Sequence, residues 1–130
     1  MSEDVTILVI DDDEKLQKFV ASIISLSGDE IFQASNGTEG LAIAAREIPD
    51  VIVCDLRMPI MDGFATLKHL KKDKLLRDVP VIMLTGNSDR ETILKCVEMG
   101  ASYFFTKPLD FGKLKNKIQQ VLQSDLANKE

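Results

Sequence analysis

Two apolar runs in this sequence finish on carboxylates. ILVI leads into Asp11, Asp12 and Asp13, and VIVC leads into Asp55. A third run, VIML, ends on Thr85 and Gly86, and a fourth, YFF, ends on Thr106, Lys107 and Pro108. Burial gives such runs no reason to stop on charges. Gathered in one place, these groups suit one chemistry. Clustered carboxylates repel one another and favour a hard divalent cation with oxygen ligands, Mg2+ or Mn2+. That cation and the Lys107 ammonium would neutralise the oxygens of a phosphoryl group, to which the Thr85 hydroxyl could donate. A carboxylate such as Asp55 could then act as nucleophile and become an acyl phosphate. Taken singly, each residue has a plainer role. Aspartates are favoured at helix starts, Asp55 could be a solvated loop residue, and Lys107 a surface lysine.

The chemistry therefore depends on elements that bring these residues together. Apolar runs at residues 5–10, 30–34, 51–54, 79–84 and 102–106 predict strands. Most are continuously apolar, which suits strands buried on both faces of a parallel sheet. Between them, apolar residues recur at helical spacing. The stripes are Leu16, Phe19, Val20, Ile23, Ile24 and Ser27; Leu41, Ala44, Ala45 and Ile48; Phe64, Leu67 and Leu70; Ile93, Cys96 and Val97; and Phe111, Leu114, Ile118, Val121 and Leu122. Strand and helix thus alternate along the chain. That order predicts an α/β fold, a doubly wound parallel sheet with right-handed crossovers and helices on both faces. In such sheets ligands bind beyond the carboxyl ends of the strands. Asp11–Asp13, Asp55, Thr85 and Lys107 all fall on that rim.

The totals agree. At 130 residues and 45% apolar, the chain can fill a core without disulfides or a structural metal. Its net charge of -5, without a basic stripe, argues against direct nucleic-acid binding. Cys54 and Cys96 lie far apart in apolar surroundings and read as core residues in a reducing compartment. No apolar run has signal-peptide or membrane-spanning character, so a cytoplasmic location is expected. His69, among Lys68, Lys71 and Lys72, reads as exposed, and the basic segment 68–74 as a solvated helix face. Met58, Met61 and Met83 fit loop and core packing.

The pieces ILVIDDD, VCDLRMPIMDG, VIMLTG and FFTKP, in this order, resemble a receiver domain of two-component response regulators. The chain looks similar to the single-domain chemotaxis response regulator over about residues 5–122. The resemblance implies a five-stranded, flavodoxin-like (βα)5 fold with strand order 2-1-3-4-5. It also implies a single receiver domain over 1–130, with no output domain. Asp55 would accept phosphate from a phosphohistidine on a sensor histidine kinase or phosphotransfer protein. Asp12 would touch Mg2+ directly and Asp11 through water, with the Arg57 backbone carbonyl as a further ligand. Thr85 and Lys107 would bind the phosphoryl oxygens, and Lys107–Pro108 would be a cis peptide. Asp13 and Asp62 read as helix caps.

The same resemblance implies a switch in which Thr85 moves toward the phosphate and an aromatic on the fifth strand turns inward. Phe104 holds that aromatic position. Many relatives carry Tyr there, so a phenol contact to a partner is lost, and Tyr103 faces the other way. Arg57 and Asn87, each two residues past a site residue, are expected to set phosphate lifetime. An effector would bind through the fourth helix, fifth strand and fifth helix, with the protein monomeric or dimerising on phosphorylation. It would be no enzyme beyond its own phosphorylation and dephosphorylation. Competing readings are a hydrolytic phosphatase, a non-phosphorylated adaptor, and a fragment of a longer regulator with a DNA-binding or enzymatic output domain. The phosphatase reading is disfavoured by Arg57, which stands where such enzymes commonly place a second carboxylate. Nucleotide binding lacks a glycine-rich loop after the first strand.

Overall fold

Runs rich in valine, isoleucine and leucine become the strands of this protein because both faces of each inner strand are covered by helices. The computed structural model describes residues 4–23, 29–86 and 89–129. The elements are β1 (Thr6–Ile10), α1 (Glu14–Ile23), β2 (Glu30–Ala34), α2 (Gly37–Glu47), β3 (Val51–Asp55), α3 (Gly63–Lys72), β4 (Val81–Thr85), α4 (Arg90–Glu98), β5 (Tyr103–Thr106) and α5 (Phe111–Lys129). All strand pairs are parallel, in the order β2-β1-β3-β4-β5. This is the doubly wound parallel sheet that the alternation predicts, in the flavodoxin-like strand order that the resemblance implies.

Alternate residues of each inner strand feed opposite faces. Leu8, Ile10, Ile52, Cys54 and Met83 pack against Ala44, Leu67, Leu70 and Cys96 from α2, α3 and α4. Ile7, Val9, Val53, Ile82 and Leu84 pack against Leu16, Val20, Leu114 and Ile118 from α1 and α5. The Phe19 and Phe111 rings join α1 to α5, with centroids 4.6 Å apart. Both cysteines are free and buried.

Several boundaries differ from the sequence reading. β4 begins at Val81 rather than residue 79, because Pro80 has no N–H to pair. Its carbonyl instead accepts the Ile52 N–H at 3.0 Å. β3 runs through Asp55 and β4 through Thr85, so both functional residues are strand residues. β2 and β5 are edge strands and only partly buried, and β2 places Glu30 and Gln33 among its apolar residues.

Helix α2 stops at Glu47, and Ile48 is its C-cap with φ 44. Pro49 follows, and a residue before proline avoids the α region. Ile48 is therefore exposed rather than core; Ala45, on the outer face of α2, is exposed too, and Ile43 packs inward instead. On α4 the expected stripe is narrower, since Cys96 is buried while Val97 faces out. Ile24 and Ser27 of the first stripe lie outside the described residues. Lys71 is not wholly solvated either. It is half-buried, and its Nζ donates to the Arg77 carbonyl at 3.0 Å.

The start of α3 bears directly on Asp55. Asp62 caps the helix by accepting the Ala65 N–H at 2.8 Å. The Gly63 N–H donates to the Leu56 carbonyl at 2.8 Å. A β-carbon on Gly63 would lie 2.6 Å from the Asp55 carbonyl oxygen and 2.8 Å from the Leu56 α-carbon. Both are backbone atoms, which cannot step aside without moving the strand end. Gly63→Ala is expected to lower stability by about 2 kcal/mol in urea titration. Unchanged stability would show that the loop yields without disturbing β3.

Candidate functional site

The carboxyl ends of β1, β3, β4 and β5 converge as the alternation requires. The Asp11 N–H donates to the Ala34 carbonyl at 2.9 Å, extending the ladder past β1. The Asp11 side chain is only 1% exposed. Its Oδ1 accepts the Asp13 N–H at 2.9 Å, and its backbone carbonyl accepts from Gln17 Nε2 at 2.7 Å. Oδ2 has no hydrogen-bond partner. Asp12 points out and is exposed. Asp13 accepts the Lys15 N–H at 2.9 Å and so opens α1 as a cap.

Asp55 is buried at the end of β3, where the following N–H, that of Leu56, donates to the Leu84 carbonyl at 2.8 Å. Thr85 is buried beside it. Thr85 pairs in register with Thr106, and the Lys107 N–H donates to the Thr85 carbonyl at 2.8 Å. This places Lys107 over the rim, ahead of a cis bond to Pro108. Its Nζ lies 3.4 Å from Asp55 Oδ2 and 3.6 Å from Asp11 Oδ2. Both distances exceed an optimal charge-assisted hydrogen bond. One ammonium thus serves two carboxylates without closing fully on either.

Burial chiefly pushes the Asp11 carboxyl above its ordinary value, and the Asp55 charge adds to this. The Asp13 N–H and Lys107 oppose it. Burial alone would lower Lys107, but the charges of Asp11 and Asp55 outweigh it and hold its ammonium above the ordinary lysine value.

Among the described residues, no three His, Cys, Asp or Glu side chains form a complete metal cluster. A hard cation such as Mg2+ needs fewer, because it keeps several waters and takes only one or two carboxylates. Asp11 Oδ2, which has no hydrogen bond, and Asp55 Oδ2, both beside Lys107, are ligand oxygens of the right kind. The site residues present therefore fit such an ion.

The other sequence candidates sit around this centre. Arg57 is exposed and lines an open groove of about 360 Å3 with Met58, Phe64 and Thr92. Phe104 is half-buried, in register with Met83 and packed on the α2–α4 side. Tyr103 faces the opposite side, with Lys117 Nζ 3.5 Å from its ring centroid. Asn87 lies outside the described residues. His69 is exposed. Sequence reasoning missed Gln17, which holds the Asp11 carbonyl. Its place one turn into α1 carries no signal that distinguishes it from a surface glutamine.

A model of the response regulator receiver domain family matches residues 7–119. The chain belongs to this family of two-component receiver domains. The receiver is 36% identical over 121 residues to the response regulator PleD of Caulobacter vibrioides, covering 93% of this chain and 27% of that protein. It is 30% identical over 118 residues to the phosphate regulon transcriptional regulatory protein PhoB of Pseudomonas aeruginosa, covering 91% of this chain and 52% of that protein. Among solved structures, the chemotaxis response regulator CheY4 of Vibrio cholerae superposes with a TM-score of 0.81 at 28% identity. That match covers 92% of this chain and 99% of that one. The receiver thus spans about half the length of PhoB and about a quarter of PleD.

Burial of Asp11 also makes stability depend on pH. The folded state holds the Asp11 proton more tightly than the unfolded chain, whose value is near 3.8. That contribution to stability is present at low pH. It is lost as pH rises from 3.8 through the raised folded-state value. Asp11→Asn keeps the side chain neutral throughout. It is expected to raise the thermal midpoint at neutral pH in metal-free buffer, with the gain vanishing below 3.8. A lowered midpoint would show that attraction to Lys107 outweighs the cost of burying the charge.

Proposed function

We propose that this receiver is a phospho-acceptor, and that Asp55 takes its phosphoryl group from a phosphohistidine on a sensor histidine kinase or phosphotransfer protein. The observation that carries the reading is the single Lys107 ammonium held between two buried carboxylates, one of which keeps an oxygen without a hydrogen bond. A carboxylate oxygen of Asp55 attacks phosphorus, a P–O bond forms, and the P–N bond breaks. The imidazole leaves with the bonding pair. Lys107 pairs with a phosphoryl oxygen, and the Thr85 hydroxyl donates to another. Mg2+ held by Asp12, Asp55 and the Arg57 carbonyl, with Asp11 acting through water, would neutralise charge on the transferring group.

Phosphorylation adds about two negative charges beside Thr85 and Lys107. Thr85 moves toward them, and Phe104, packed behind it on the half-buried side of β5, turns into the space. The readout is a change of partner at the face formed by α4, β5 and α5, where Leu94, Val97 and Tyr103 are exposed. The domain acts as a signalling switch and catalyses only its own phosphorylation and dephosphorylation. No helix among the described residues is long and apolar enough to cross a membrane.

Incubation with Mg2+ and acetyl phosphate, followed by intact mass measurement, tests the reading. One phosphoryl group is expected on the wild type, and none on Asp55→Asn or after metal removal. An unmodified wild type would overturn it. Arg57, exposed beside the acceptor, is assigned a role in shielding the acyl phosphate from water. Arg57→Ala is expected to shorten phosphate lifetime severalfold in a dephosphorylation time course, and equal rates would remove Arg57 from the account.

A further inference from the structure

One side chain of α1 reaches back to the rim from which the helix departs. Gln17 stands one turn inside α1, where its N–H donates to the Asp13 carbonyl at 3.1 Å. Side chains on a helix lean toward its amino end, so the Gln17 amide points back to the link between β1 and α1. There its Nε2 donates to the Asp11 carbonyl at 2.7 Å, near the short end of the range for an N–H donor. Gln17 is half-buried, and Leu16 and Val20 of the same helix are buried in the core. The amide is therefore carried on a fixed mount.

The link itself is Asp11, Asp12 and Asp13, between Ile10 and Glu14. Asp11 is tied down throughout. Its N–H donates to Ala34, its Oδ1 accepts from Asp13, and its Oδ2 lies beside Lys107. Asp12 differs. Its side chain is exposed, so packing does not place it. The peptide before it does. A peptide unit is planar, and this plane runs from the Asp11 α-carbon through the carbonyl to the Asp12 N–H and α-carbon. Gripping the carbonyl oxygen therefore fixes the direction from which the Asp12 side chain departs.

The type of residue that makes the grip has its own consequence. An amide donates to a carbonyl without carrying charge. A lysine or arginine at this place would bring a second cation toward carboxylates that Lys107 already serves, and it would compete with a metal ion. A glutamate carboxylate would set oxygen against oxygen. Glutamine holds the backbone and leaves the negative charge of the rim to a cation.

We propose that Gln17 is a positioning residue for the cation, aiming the Asp12 carboxylate through the Asp11–Asp12 peptide and making the site favour Mg2+ over Ca2+. The proposal rests on the placement of Mg2+ in the phospho-acceptor reading. Mg2+ demands near-ideal octahedral geometry, whereas Ca2+ accepts flexible coordination. A fixed ligand direction therefore stabilises bound Mg2+ more than bound Ca2+. Groups that orient metal ligands contribute about 10–100-fold in affinity.

Mg2+ and Ca2+ titrations of the receiver, followed by amide NMR shifts, test this on Gln17→Met and Gln17→Asn. Methionine keeps the length and helix preference of glutamine but has no donor. Asparagine keeps the amide on a stem one carbon shorter, which withdraws it from the carbonyl. Both variants are expected to bind Mg2+ about tenfold more weakly than the wild type, and Ca2+ less than about threefold more weakly. The same spectra show whether each variant is folded, and either one decides the matter. Unchanged Mg2+ affinity in a folded variant, or equal losses for the two cations, would overturn the proposal and leave the phospho-acceptor reading standing. A wild type that binds no Mg2+ would overturn both.

Discussion

A single ammonium between two buried carboxylates governs this structure. Asp11 and Asp55 come from neighbouring strands and would repel each other in a place where water cannot screen them. Lys107 makes the pair tolerable. It reaches them from β5, the edge strand beyond β4, because its own N–H pairs with the Thr85 carbonyl. The arrangement is incompletely neutralised, with two negative groups, one positive group and an oxygen without a hydrogen bond. That residual charge is what makes a cation welcome.

The rest of the fold serves this balance. Inner strands buried on both faces hold their ends in fixed register, so Asp55 and Thr85 cannot drift. The turn after β3 is pinned where Gly63 lies flush against the Asp55 carbonyl. Asp13 starts α1, and Gln17 from the same helix grips the Asp11 carbonyl. Function is concentrated where helices begin and strands stop, which is where a doubly wound sheet leaves its backbone and charges open.

The two ends of the sheet differ in chemistry. The carboxyl end gathers carboxylates around one lysine. The amino end carries prolines and exposed aliphatic groups, with Asp29 and Asp50 accepting the Val5 and Thr6 N–H groups. A parallel sheet enforces this separation, since every strand points the same way and its two ends cannot share a surface. A ligand at one end therefore meets the other only through the packed core.

Much of this was legible in the residues themselves. Continuous apolar runs marked the strands, helical spacing marked most of the covering faces, and the aspartates, threonine and lysine at run ends marked the rim. Legibility failed where one-dimensional neighbours diverge in space. Asp11 and Asp12 are the same residue type side by side, yet one is buried and the other exposed, because successive residues of an extended chain point to opposite sides. β2 and β5 lie at the sheet edge, as the expected strand order 2-1-3-4-5 implies, but that order follows from the resemblance and the crossovers and not from their composition. Ile48 fitted a helical stripe until Pro49 and the end of α2 turned it outward. The sequence by itself determined the alternation of elements and the chemical identity of the site, because burial patterns and functional groups are local properties. Only the tertiary structure decided which carboxylate is buried, which lysine pairs with it and which apolar groups remain exposed, because those outcomes depend on distances between strands far apart in the chain.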